Sequence, residues 1–189
     1  MTDPTLTFTT QLEWEAWLEG HGSTSSGVWL RVAKKSAEQP TVTYGQALES
    51  ALCHGWIDGQ KRSEDQHYWL QRFTPRTAKS LWSKINREKA EALISARKMR
   101  PAGLAAMERA KQDGRWDAAY ASARTSTVPD DLQRALDANP QAQAFFATLN
   151  SKNRFAILFR IQSVKKAETR ARKIAEFVQM LSNGEKLHP

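Results

Sequence analysis

The chain has 189 residues, 40% of them hydrophobic and 25% charged, enough for one large or two small globular domains with a real core. Its single cysteine excludes an intramolecular disulfide and a multi-cysteine zinc site. The net charge of +8 favours polyanions, phosphorylated ligands or acidic proteins as partners, or serves solubility alone.

The N-terminal stretch MTDPTLTFTTQLEWEAW lacks the basic-then-apolar order of a secretory signal. No apolar run approaches the ~20 residues of a membrane-spanning helix, so a cytoplasmic location is expected. Thr10 or a neighbour caps a first short helix carrying Leu12, Trp14, Trp17 and Leu18, and the Gly20-to-Gly27 cluster ends it. Val28, Leu30 and Val32 then alternate with Trp29, Arg31 and Ala33, the signature of a strand. Thr43 and Gln46 have capping-box spacing at the start of a helix through Leu48, Ala51 and Leu52, with Gly55 placed as a left-handed cap. Asp58-Gly59 reads as a turn, and His67–Phe73 as a strand halted by Pro75.

A helix is expected from Ser83 to Met99, with Ile85, Ala92, Ala96 and Met99 along its stripe. Another starts at Pro101 and stops at Gly114. The polar run from Ser122 to Pro129 reads as a linker, and everything beyond it as helix. Pro129-Asp130-Asp131 and Asn139-Pro140 supply start signals, and Asn183-Gly184 closes the last helix. The apolar positions of the final two helices are Phe155, Leu158 and Phe159, then Ile174, Phe177, Val178 and Leu181. The expected class is α+β: a small, mostly antiparallel sheet with packed helices over residues 1–121, and a helical bundle over 122–189 packed on it as one unit.

The series TYGQALESALCHGWIDGQKR, YWLQRFTPR, SLWSKIN, MRPAGLAAMERAKQDGRW and the closing KKAETRARKIAEFVQML resembles bacterial proteins called YdeI or OmpD-associated (the OmdA, bacteriocin-protection group). The resemblance covers nearly the whole chain. It implies a role in protection against bacteriocins, cationic peptides or envelope stress, without implying any catalytic residue.

Three chemistries deserve weighing. Cys53 and His54 are adjacent, but neighbours on a helix point about 100° apart and make poor partners for nucleophilic catalysis. We read them as a buried thiol and an imidazole capping helix carbonyls. His54, Asp58, Glu64, Asp65 and His67 offer nitrogen and oxygen donors for a metal, yet no spacing fixes two of them together, so no metal or cofactor is expected. An enzyme centred on Asp58, with His54 or His67, is an alternative, although the chain lacks the common phosphate-loop, dinucleotide, nucleophile-elbow and zinc-helix motifs.

An anion site is favoured instead. Basic residues flank strand ends and the expected turn, interleaved with aromatics that offer stacking surfaces. We take Trp56, Asp58, Arg62, Trp69, Arg72, Arg76 and Trp82 as the candidate pocket for a small anionic or amphipathic ligand. As an alternative, the basic run in the C-terminal helices, Lys165, Lys166, Arg170, Arg172 and Lys173, is a candidate nucleic-acid surface. Against it, helical spacing spreads these positions over more than one face.

Overall fold

The alternation of Val28–Ala33 does place one side chain in two on a core, and three further strands assemble around that segment. The computed structural model describes residues 3–123, 125–164 and 166–189. The chain divides into two compact units, Met1–Ala119 and Tyr120–Pro189.

In the first unit, β1 (Thr5–Leu6) precedes α1 (Gln11–His21), β2 (Val28–Ala33) and α2 (Tyr44–Cys53). Then come the hairpin β3 (Trp56–Ser63) and β4 (Tyr68–Pro75), α3 (Lys84–Ser95) and α4 (Pro101–Gln112). The sheet order is β1-β2-β4-β3. β1 runs parallel to β2 and the other two pairings are antiparallel, so the sheet is mixed. Val28, Leu30 and Phe73 on one face pack with Trp14, Leu48, Ala51, Leu52 and Trp56 in the core of this unit.

Local chemistry explains the helix ends. Both the Thr10/Glu13 and the Thr43/Gln46 capping boxes form, each satisfying early helix amides reciprocally. Gly55 follows α2 with φ +75°, a conformation that favours glycine, and a Cβ there would sit 2.7 Å from the Ala102 carbonyl oxygen. A Cβ on Gly103 would sit 2.3 Å from the carbonyl oxygen of Cys53. The end of α2 and the start of α4 therefore meet backbone to backbone, and the Arg100 amide donates to the Cys53 carbonyl at 3.1 Å.

Two local expectations are corrected. Asp58-Gly59 is not a turn but part of β3, at a register shift between Asp58 and Lys61. The buried Gln71 of β4 explains it, because its Nε2 donates to the carbonyls of Gly59 and Gln60 at 3.0 and 3.2 Å. The displaced backbone is satisfied across the sheet, so the chain has no need to reverse there. The helix from Ser83 is also shorter than expected, and its buried face is Ala90 and Leu93, leaving Ile85 46% exposed. It ends in a Schellman arrangement: the Arg97 amide donates to the Ile94 carbonyl and the Lys98 amide to Leu93.

Among the described residues the second unit holds four helices, α5 (Asp130–Asp137), α6 (Pro140–Thr148), α7 (Ser151–Gln162) and α8 (Ala167–Ser182). Asn139 caps α6 by accepting from the Ala142 amide, with Pro140 in the first turn as its sequence signals. Leu132, Leu136, Phe146, Ile157, Ile161 and Leu181 form its core. Phe155 and Phe159 are only half-buried and lie against Tyr120. Asn153 is fully buried and exchanges hydrogen bonds with the backbone of His188, which ties the C-terminal tail to α7. Among the described residues no helix is long and apolar enough to cross a membrane.

Candidate functional site

The seven residues singled out around GWIDG and RFTPR divide among three environments. Trp56 and Trp82 are each 1% exposed. The indole of Trp56 donates to the Gly22 carbonyl at 3.1 Å and packs edge-on against Trp14 and Trp17. Arg76 is buried too, its guanidinium 3.5 Å from the Trp82 ring centroid and donating to the Leu81 carbonyl. These three side chains are built into the core of the first unit.

Asp58 and Trp69 lie on the sheet face that also carries Phe73 and Val32. The hydroxyl of Tyr44, in the first turn of α2, donates to Asp58 Oδ2 at 2.8 Å. The Lys61 ammonium stands 4.0 Å over the Trp69 ring. Arg62 and Arg72 belong to the opposite face. There Arg62 covers the Trp29 ring at 4.2 Å, Arg72 holds Asp3 Oδ2 at 2.7 Å, and Arg31 grips Glu64 through two hydrogen bonds of 2.6 and 2.7 Å. Every basic group named on this face has a protein partner.

The remaining sequence candidates are separate from one another. His67 meets the Ser36 carbonyl, and Asp65 accepts from the His67 and Tyr68 amides, which closes the β3–β4 turn and lowers its carboxyl below the ordinary value. Among the described residues, no group of three or more His, Cys, Asp or Glu side chains is placed to hold a metal. In the second unit Arg170 pairs with Asp131 through hydrogen bonds of 2.6 and 3.0 Å, and Lys173 with Glu176 at 2.9 Å. Arg172 lies 3.9 Å from Glu176, Lys166 precedes α8 as its N-cap, and Lys165 lies outside the described residues.

A cavity of about 390 Å³ in the first unit involves none of those seven residues. Its walls come from α1, from the C-terminal turn of α2 and from the connection between α3 and α4. Cys53 and His54 both line it. The thiol is pushed up to about 11, first by burial and then by the charges of Glu15 and Glu49, so it stays protonated and inert at neutral pH. His54 Nδ1 sits 2.8 Å from the Ser50 carbonyl, which fixes the proton on Nδ1 in the neutral ring and leaves Nε2 an acceptor. Nε2 is buried without a hydrogen bond, and the nearest carboxylate, that of Glu19, is 3.9 Å away.

The connection between α3 and α4 contributes Arg97, Lys98 and Arg100. Arg97 occupies φ +57°, the left-handed region, where a residue with a side chain costs about 1 kcal/mol relative to glycine. Lys98 is held by Glu49 and Arg100 by Glu19, both at 3.1 Å. Among the described residues Arg97 has no ion pair.

The sequence did not single out Arg97, Glu15 or Glu49. The one local sign is the end of α3 at the basic pair Arg97-Lys98, with no glycine to take the left-handed position.

Residues 125–184 match the family described as Bacteriocin-protection, YdeI or OmpD-Associated. The segments GWIDG and RFTPR fall instead within residues 6–106, which match a separate Domain of unknown function, DUF8412, across more than half of the chain. No curated protein and no solved structure matches. The chain belongs to the DUF8412 family and carries, over residues 125–184, a domain of the YdeI or OmpD-associated bacteriocin-protection family.

Proposed function

We propose that this is a cytoplasmic protection protein whose molecular activity is the binding of a small anionic or amphipathic ligand, rather than catalysis. The reading assigns that binding to the cavity beside Cys53 and His54, not to the tryptophans and arginines of the sheet. One observation carries it: the cavity is lined by Arg97, an exposed arginine with no ion-pair partner among the described residues. The arginines on the sheet already spend their charge on Asp3, Glu64 and the Trp29 ring.

A cavity of this size accommodates a small organic molecule. Its rim includes Leu12, which is 77% exposed and offers an apolar surface to an amphipathic ligand. Catalysis lacks a nucleophile here, since the Cys53 thiol is protonated at neutral pH.

The test is calorimetric titration of the full chain with hexanoate and with the dipeptide leucyl-leucine, both small carboxylates with apolar bodies. Saturable one-to-one binding of either, weakened roughly tenfold or more by Arg97→Gly, is the expected result. Failure of both compounds to bind overturns the proposal.

A further inference from the structure

We infer that the ligand of this cavity is a small zwitterion of the amino-acid or dipeptide class, its carboxylate toward Arg97 and its ammonium toward Glu15. The inference rests on the binding reading above and adds a second charge of opposite sign.

Charges around this one cavity are matched unevenly. Lys98 is neutralised by Glu49 and Arg100 by Glu19. Of the charged residues lining the cavity, Arg97 and Glu15 are left, one cation and one anion, each without an ion pair among the described residues. Glu15 is nevertheless held in place. Its Oε1 accepts from the Ser50 hydroxyl at 2.8 Å and from the Gln11 amide at 3.3 Å, neutral donors that orient a carboxylate without cancelling its charge. Gln11 also donates to Ser50 Oγ at 2.9 Å, so the three side chains form one connected network across α1 and α2.

His54 supplies a third, independent sign. Its side chain is 8% exposed and its Nε2 makes no hydrogen bond to the protein, with the Glu19 carboxylate 3.9 Å away. An ammonium carries three N–H donors, enough to serve both Glu15 and His54. A purely anionic ligand would meet the Glu15 charge and leave His54 unsatisfied. A purely cationic one would meet Arg97. A ligand bearing both charges complements Arg97 and Glu15 and offers a donor to His54, and a dipeptide with apolar side chains also covers Leu12 at the rim.

The backbone at Arg97 points the same way. Glycine is the favoured residue at a left-handed position after a helix, yet an arginine stands there, at the wall of the cavity. Arg97→Gly therefore separates function from folding: it should raise the melting temperature while weakening the ligand. A residue with only a structural role would not give that pair of changes.

The experiment compares leucyl-leucine with N-acetyl-leucyl-leucine, which lacks the ammonium, and leucyl-leucinamide, which lacks the carboxylate, by calorimetry on the full chain. Each blocked form is expected to bind roughly tenfold to a hundredfold more weakly than the free dipeptide. Glu15→Gln, which preserves shape and one acceptor oxygen, should erase the preference for the free over the acetylated form. Equal affinity for the acetylated and free forms overturns the zwitterion while leaving an anion-binding site standing. Tighter binding of the amide than of the acetylated form, at the strength of the free dipeptide, overturns both readings. Unchanged affinity in Arg97→Gly overturns the assignment of the carboxylate.

Discussion

Two regions of the first unit gather basic side chains, and they use them in opposite ways. On the outer face of the sheet, Arg31, Arg62 and Arg72 are each matched by Glu64, the Trp29 ring and Asp3. At the cavity, Lys98 and Arg100 are matched by carboxylates, but Arg97 and Glu15, opposite in sign, have no ion pair among the described residues. The sheet face is thus electrostatically finished and the cavity is not. A count of cations, or even their clustering with aromatics, does not distinguish the two. The distinction lies in which charges have partners.

The largest expected effect strikes the sheet-side reading directly. Trp56 is 1% exposed and packs edge-on against Trp14 and Trp17, so Trp56→Ala should cost about 3–5 kcal/mol of stability, by lost burial and the cavity left behind. Chemical denaturation measures it; a change under about 1 kcal/mol would restore Trp56 as a surface for ligands rather than a core residue. A smaller loss is expected at the paired charges. Arg72→Ala leaves the mostly buried carboxylate of Asp3 without its ion-pair partner, and with Arg72 itself 35% exposed the cost is about 1 kcal/mol. Asp3→Asn combined with Arg72→Ala should recover part of it, because no unpaired charge remains. Equal losses in the single and double variants would show that the pair does not stabilise.

The second unit repeats the finished kind of pairing at Asp131 and Arg170. The hydrogen bond from Arg170 holds the Asp131 carboxyl below its ordinary 3.8. A carboxyl lowered on folding stabilises above its unfolded value, and the contribution disappears as pH falls through the folded one. The melting temperature should therefore drop on acidification below about 4, and Asp131→Asn should flatten that part of the curve. An acid profile identical in the variant would remove this pair as a cause.

How much of this was legible in the sequence depends on the range over which each feature is decided. The capping boxes at Thr10 and Thr43 and the Asn139-Pro140 start formed as their spacing indicates, since each is closed within four residues. The class and the alternating strand at Val28–Ala33 were legible for the same reason. Asp58-Gly59 misled because its backbone is completed by Gln71, a residue on another strand. The seven candidate site residues share residue type and proximity in the chain, and the fold distributes them between the core and two faces. The cavity was illegible. It joins residues near 11–15, 49–54 and 97–100, and what matters there, such as Lys98 meeting Glu49, is a pairing across 49 positions.

The quietest expected effect concerns Cys53, and it decides what kind of cavity this is. A cysteine and a histidine side by side suggest a nucleophile and its base, yet His54 Nδ1 donates a hydrogen bond to the Ser50 carbonyl and the thiol is buried near two carboxylates. With the thiol at about 11 instead of its ordinary 9.0, its thiolate fraction at neutral pH is about a hundredfold below that of a free cysteine. Iodoacetamide should accordingly leave the native protein unmodified over times that fully label it in urea, as intact mass will show. Because an acid raised on folding favours its neutral form, the associated stability is complete below about 9 and is lost as pH climbs through about 11. Labelling of native Cys53 at the rate of an exposed thiol at neutral pH would reopen nucleophilic chemistry at this site. Absence of labelling leaves the unmatched charges of Arg97 and Glu15, rather than the sulfur, as the reactive feature of the cavity, which is what a binding site requires and a thiol enzyme does not.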